Sequence, residues 1–335
     1  MKIKAIEFKK LLMPLTKLLK SNGTYKNSDK LFFNGSYVYV FDGEIYMDAL
    51  LESDLFGSVD GKLFYKLIDK YKAKEIEIRA SENTIQVVCG NSVSDFSFDD
   101  NFSTPFDIPE KGWKKLEPNF HKGLELCSYV LSKDESDVNT SVIQVGGNLM
   151  QASDGFRMIQ YYLEKEVKET FYISKSTLKY FPKVKLKKYL LQDSWLFFED
   201  ENGNIIVCRP LGVVKYPDLS ELMEQYHPKD KISFPEEIAE SLERASLFKE
   251  KENELDRSIE VSISKNKATI ISIGESGQYK ESFSGKFNNQ FSFMINSAFF
   301  KEILSRKEAE ILIDDDVIMV KEPDYTYVAL LEIKD

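Results

Sequence analysis

Two histidines and three cysteines are all the imidazole and thiol chemistry in 335 residues. With only His121 and His227 available, general acid–base catalysis through imidazole has little to draw on, and both read as partly exposed structural residues. Cys89, Cys127 and Cys208 are odd in number and far apart, which excludes a disulfide framework and reads as reduced, mostly buried thiols in a cytosol. The chain has no glycine-rich phosphate loop, no Ser-His-Asp order and no Cys/His cluster at metal spacing. No metal and no cofactor is therefore expected. Long apolar runs are missing too: none approaches the ~18 residues of a membrane span. The charged start "MKIKAIEFKK" is no signal peptide, so the expectation is a cytoplasmic protein without a membrane partner.

What the chain does have is acid. Its formal net charge is −10, with 42% hydrophobic and 30% charged residues. That balance is ordinary for a soluble globular protein and argues against one that coats nucleic acid indiscriminately. Local basic surfaces remain open. Lys62, Lys66 and Lys70 recur every fourth residue on one helix side, and Ser174 to Lys188 contains six lysines and no acid. Few aromatics interleave with them, so backbone attraction without base stacking is what such stripes would offer. A lone stripe is more simply a solvated helix face.

The length fits two or three domains, and the pattern favours three. Amphipathic helices are predicted at "FKKLLMPLTKLLK" from Phe8, "FHKGLELCSYVLSK" from Phe120 and "FPEEIAESLERASLF" from Phe234. Phe8, Leu11, Leu12, Leu15 and Leu19 share a face, and Pro14 should bend that helix or open one hydrogen bond. Ser233 and Glu236 form a capping-box pattern before the third helix. Each third then carries a second helical stretch, "DGKLFYKLIDKYK", "SKSTLKYFPK" or "NSAFFKEILSRKE", followed by strands. The predicted class is α+β, with repeated domains at 1–110, 111–225 and 226–335.

One stretch stands out. In "QASDGFRMIQYYL", Asp154-Gly155 separates two apolar-rich runs and predicts a hairpin with a type I′ turn. An arginine flanked by Phe156 and Met158 is an odd choice for a connector. The run "QASDGFRM" resembles the Thr-Asp-Gly-His-Arg-Leu loop in the middle domain of bacterial DNA polymerase sliding clamps. "GVVKYPDLSELMEQYHPKDK" resembles the segment ending that family's second domain. "ERASLFKEKE" and "FMINSAFFKEILS" resemble the two helices of its third domain, and "YTYVALLEIKD" occupies the place of its C-terminal tail. These matches cover residues 115–335, and the first third is supported by pattern alone. Phe156 replaces the loop histidine and the tail lacks Met-Pro-Met, as a shortened, diverged viral or plasmid-borne clamp would.

The resemblance implies a non-catalytic processivity factor: a head-to-tail homodimer ring of three repeated clamp domains per chain, each with two helices on antiparallel sheets. Duplex DNA would pass through, and polymerase and clamp loader would dock by short linear motifs. Carried over, the pocket is Ser153, Gly155, Phe156, Arg157, Met158, Arg244, Phe248, Asn296, Phe299, Val328, Ala329 and Leu330. Arg157 is expected to stack or hydrogen-bond against the bound peptide's backbone. The DNA-facing bases are Lys10, Lys17, Lys20, Lys62, Lys66, Lys70, Lys175, Lys179 and Arg306. Phe106 and Ile108 are expected to face the partner strand carrying Gln278 and Tyr279. The alternatives are a structural interaction protein without a DNA role, or a nucleic-acid enzyme with a metal on Asp314-Asp315-Asp316. Adjacent strand residues face opposite sides, so that acidic run reads more simply as a tight turn.

Overall fold

The computed structural model describes every residue except 21, 22, 24, 73, 74, 101–103, 106, 182–184, 211–215, 235, 236, 250–252, 254–256, 286, 288, 289, 307, 308 and 333–335. Glu236 of the expected capping box therefore lies outside the described residues. The chain is α+β.

The first third runs β1 (Lys2–Ile3), α1 (Ala5–Thr16), β2 (Lys30–Asn34), β3 (Tyr37–Phe41), β4 (Ile45–Leu50), β5 (Phe56–Asp60), α2 (Gly61–Lys70), β6 (Ile76–Ser81), β7 (Thr84–Cys89) and β8 (Ser92–Ser97). The middle third runs β9 (Lys114–Lys115), α3 (Phe120–Ser128), β10 (Val142–Ser153), β11 (Arg157–Ser174), α4 (Lys175–Leu178), β12 (Leu186–Gln192), β13 (Trp195–Asp200), β14 (Ile205–Cys208) and α5 (Leu219–Glu224). The last third runs β15 (Asp230–Lys231), α6 (Glu237–Ser246), β16 (Ser258–Ser264), β17 (Lys267–Gly274), β18 (Gly277–Ser284), β19 (Phe291–Asn296), α7 (Ser297–Leu304), β20 (Glu310–Ile313), β21 (Val317–Glu322) and β22 (Tyr325–Leu330).

One pairing rule recurs in all three. The short leading strand pairs with the first strand after the second helix: β1 with β6, β9 with β12, β15 with β20. The outer thirds each add a sheet of one order, β5-β2-β3-β4 in the first and β19-β16-β17-β18 in the last. The middle third supplies the long β10 and β11 instead. Two antiparallel joins then link neighbouring thirds. β4 pairs with β14, with Met47 opposite Ile206, and β11 pairs with β22, with Met158 opposite Val328. Among the described residues β8 and β18 each end a sheet with one strand neighbour.

The chain divides into two compact units, residues 1–121 with 173–212 and residues 122–172 with 213–335. In the first, α1 buries Phe8, Leu12 and Leu15 and α2 buries Phe64 and Ile68, at the helical spacing their sequences require. Phe8 and Phe64 meet edge to face at 6.1 Å. Asp60 starts α2 by accepting from the Leu63 N–H at 2.8 Å. Pro14 sits in the last turn of α1, so its cost is the bond that the Lys10 carbonyl would otherwise accept. In the second unit α6 buries Ile238, Leu242 and Ala245, and α7 buries Phe299, Phe300 and Ile303. The helix expected in "SKSTLKYFPK" is only the four residues of α4. Cys127 and Cys208 are buried free thiols, and burial pushes the Cys208 thiol up to about 12.

Candidate functional site

The hairpin at Asp154 forms, though not with the turn that Asp-Gly suggests. Residues 154–156 connect β10 to β11, and Gly155 alone takes a positive φ, +89°. A type I′ turn needs two such residues. The Asp154 carboxylate organises the connection instead, accepting from the N–H groups of Phe156 and Arg157 at 3.0 Å each. Ser153 Oγ donates to the Arg157 carbonyl at 2.9 Å and accepts from the Gly155 N–H at 3.1 Å.

Arg157 then turns inward. Its Nε donates to Asp154 Oδ2 at 2.8 Å and its Nη1 to Glu302 Oε1 at 2.6 Å. The guanidinium lies over the Phe299 ring, 4.2 Å from the centroid, and its side chain is 10% exposed. Tyr327 donates its hydroxyl to Glu302 Oε2 at 3.4 Å. Burial opposes the guanidinium charge, but Tyr327, Glu302 and Asp154 outweigh it and hold the pKa above its ordinary value. Arg157 thus clamps the hairpin to α7 instead of offering its fork to a peptide, which corrects the sequence expectation.

Beside this clamp lies an apolar cluster. Met158, Val328 and Met319 stand opposite one another across β11, β22 and β21, joined by Val317 and by Met223 of α5. Leu222, Tyr226, Leu312 and Leu330 pack around it, partly buried. Asp218 caps α5 by accepting from the N–H groups of Ser220 and Glu221 at 3.0 and 3.1 Å. Gln160 ties the sheet to that helix, donating to Ser220 Oγ at 2.9 Å. Phe156 projects from the hairpin, 46% exposed, while Met158 is 7% exposed. Three methionines make this cluster deformable.

The structure divides the residues expected to form one pocket. Ser153, Gly155, Phe156, Arg157, Met158, Phe299, Val328 and Leu330 belong to the hairpin, the clamp or the cluster. Ala329 lies opposite Arg157 on β22 and is fully buried. Asn296 serves α7 as N-cap, accepting from the Ala298 N–H at 3.0 Å. Arg244 and Phe248 are engaged with β18: Arg244 donates to the Tyr279 hydroxyl at 2.9 Å and to Glu281 at 2.8 Å, and Phe248 packs on the Tyr279 ring. They belong to α6, its following turn and β18. Met223, Val317, Met319 and Glu302 were not anticipated. Alternation in "VIMV" signals that Val317 and Met319 share a face, but nothing local marks which face the hairpin meets.

Other expected positions fare differently. Phe106 lies outside the described residues. Ile108 is partly buried and packs with Trp113 against the cluster of Phe32, Tyr39, Phe41, Tyr46 and Phe197 inside its own unit. Gln278 is exposed on β18, and Tyr279 is engaged with Arg244. Lys10, Lys17, Lys66, Lys70 and Lys179 are exposed, Lys62 and Lys175 are half-buried, and Lys20 is ion-paired with the buried Asp42 carboxylate at 2.6 Å. Arg306 is half-buried and stacks over Tyr325 and Tyr327. Asp314-Asp315-Asp316 forms the turn between β20 and β21, where the Asp314 carboxylate accepts from the N–H groups of Asp316 and Val317 at 3.0 and 2.9 Å. Among the described residues no three His, Cys, Asp or Glu side chains gather as metal ligands. No helix among them is long and apolar enough to cross a membrane.

No protein-family model matches the sequence, and no curated protein matches it. Solved structures do match. The DNA polymerase III subunit beta of Pseudomonas aeruginosa superposes with a TM-score of 0.81 at 14% identity over 99% of both chains. This chain has the β-clamp fold. The Helicobacter pylori beta clamp bound to a DNA ligase peptide matches at TM-score 0.81 and 15% identity over 99% of both chains. The Pseudomonas aeruginosa sliding clamp bound to griselimycin matches at 0.83 and 14%, again over 99% of both. At such identity the β-clamp backbone is kept while most side chains differ, so the likeness carries the fold and the surfaces follow from this chain's own residues.

Proposed function

We propose that the protein is a DNA sliding clamp: a non-catalytic, cytosolic ring that encircles duplex DNA and tethers a polymerase and its clamp loader. Three repeated domains, 1–110, 111–225 and 226–335, would form each half of the ring. The observation that carries the reading is the pairing rule between thirds. β4 joins β14 and β11 joins β22, so each third offers one strand to the last strand of the next. Applied once more, the rule gives β18 the partner β8, and these end their sheets among the described residues. A second copy would satisfy both edges head to tail, a contact that closes on itself. Exposed apolar side chains accompany the edges, Val93 on β8 and Ile273 and Leu247 near β18.

The fold's likeness to clamps supports this reading, as does the deformable apolar cluster beside exposed Phe156. An anchor side chain of a short peptide needs an apolar seat of that kind, and the Helicobacter pylori clamp is bound to a DNA ligase peptide. The test is retention on DNA. A closed ring loaded on nicked circular duplex should stay bound through gel filtration and leave once the circle is linearised. Equal loss from both templates would rule out encirclement.

A further inference from the structure

The hairpin that carries Arg157 has a counterpart in the first unit. Asp42-Gly43 turns β3 into β4, and the Asp42 carboxylate accepts from the N–H groups of Glu44 and Ile45 at 3.0 and 2.8 Å. Asp154 does the same for Phe156 and Arg157. Gly43 takes φ +100° where Gly155 takes +89°. The strands match as well. Tyr46, Val207 and Phe197 stand opposite one another across β4, β14 and β13, in the register of Met158, Val328 and Met319. The Arg209 N–H donates to the Glu44 carbonyl at 3.4 Å, as the Leu330 N–H does to the Phe156 carbonyl at 2.9 Å. One backbone frame therefore serves two seats.

Their rims differ. Phe156, Val317 and Leu330 in the second unit are replaced at the same places of the first by Glu44, Trp195 and Arg209. Arg209 is exposed, with its guanidinium 4.8 Å from the centroid of the Trp195 ring. Among the described residues no carboxylate forms an ion pair with it. A guanidinium stacked by its face keeps its edge N–H groups for a carboxylate. Aromatic surface continues from there: the Trp195 ring lies 6.1 Å from that of Phe41, and Phe41 lies 4.9 Å from Tyr25, which is 44% exposed. A row of rings suits proline, whose extended chain is ordered before it binds. The cluster beneath already seats a proline-bearing stretch of this chain. In "DIPEKGW", Ile108 and Trp113 pack against it, and Trp113 donates its Nε1–H to the Pro109 carbonyl at 2.7 Å. Glu44 on the rim opposes a polyanion such as a nucleic-acid strand.

We propose that the first unit carries a second docking seat, for a short linear peptide with a proline on the Trp195 and Tyr25 rings and a carboxylate on Arg209. The seat belongs to one unit of one chain, so it needs neither ring closure nor the methionine cluster.

The experiment is an anisotropy titration of the full chain with a fluorescein-labelled peptide, Asp-Leu-Pro-Pro-Leu-Glu, and with its amide counterpart, Asn-Leu-Pro-Pro-Leu-Gln. Wild type should bind the acidic peptide, and Arg209→Gln should weaken that binding about tenfold or more, as loss of a charge-assisted contact does. The amide peptide should bind wild type about as weakly, with no further loss in Arg209→Gln. Tyr25→Ala and Trp195→Ala should weaken both peptides. Arg209 and Tyr25 are exposed, so their variants carry the test if Trp195→Ala fails to fold. No binding to wild type, or unchanged affinity in all folded variants, would overturn the proposal. Binding lost in Phe156→Ala and kept in Arg209→Gln would place the peptide on the second unit's hairpin, overturning this seat and leaving that one standing. Tighter binding of a labelled oligothymidine than of the acidic peptide would give the rim to nucleic acid and overturn it too.

Discussion

Arg157 and Glu302 are 145 residues apart in the chain, and their side chains meet at 2.6 Å. This contact joins the hairpin after β10 to α7, and Phe299 covers the guanidinium from the same helix. The hairpin is therefore held from behind, with Phe156 left to face solvent.

Removing Arg157 alone should cost more than removing it together with Glu302. Arg157→Met leaves Glu302 and Asp154 without their cation and should destabilise the second unit by about 3 kcal/mol, whereas Arg157→Met with Glu302→Leu should recover the part owed to Glu302. Urea unfolding of the three proteins checks it. Equal losses in the single and double variants would mean that the pair contributes nothing beyond its packing.

The hairpin's two apolar neighbours should separate binding from stability. Met158→Ala opens a hole in the methionine cluster and should cost about 2–3 kcal/mol of stability. Phe156→Ala should change stability by no more than about 0.5 kcal/mol. It should nevertheless weaken a polymerase-derived peptide roughly 30-fold, as loss of a hot spot does. A peptide titration in which Phe156→Ala matches wild type would remove Phe156 from the docking surface.

Asp48 should make the first unit pH-sensitive. Its buried carboxylate accepts from the Ile205 N–H at 2.6 Å and the Tyr46 hydroxyl at 3.0 Å, yet burial, with Asp200 adding repulsion, pushes its pKa up to about 7. An unfolded aspartate titrates near 4, so between the two values the folded state holds a proton that the unfolded state releases. The contribution of Asp48 to stability is then fullest below about pH 4 and falls as pH rises toward 7, by up to about 1.4 kcal/mol per pH unit. Asp48→Asn should flatten that dependence, which urea midpoints across the range would show. An identical pH profile for both proteins would place the titration elsewhere.

Self-association should depend on the two sheet ends. Val93→Asp on β8 and Ile273→Asp beside β18 replace side chains that are 58% and 63% exposed, so folding should survive. Each places a charge at an edge expected to pair with another copy and should weaken the dimer about tenfold or more. Sedimentation at micromolar concentration is the measurement. A wild type that stays monomeric without a loader, or variants that dimerise normally, would redirect the search for the interface.

Much of this architecture was legible along the chain. Phe8, Leu12 and Leu15 on α1, or Phe64 and Ile68 on α2, reveal their buried faces by spacing alone. Asp154-Gly155 and Asn202-Gly203 mark turns because positive φ favours glycine, and Gly203 has φ +82°. The threefold order of helices and strands follows from the same local signals. What the chain alone could not decide was which edges and faces meet. Arg244 and Phe248 read as neighbours of the hairpin, yet lie against Tyr279 because α6 packs on β17 and β18. Arg157 read as a hand held out to a partner, but tertiary packing brought Glu302 and Phe299 to it. A turn or a helix face is set by dihedral preference and periodicity within a few residues. The partner of a buried charge or a strand edge is chosen by closure of the whole sheet, and no short stretch of sequence contains that choice.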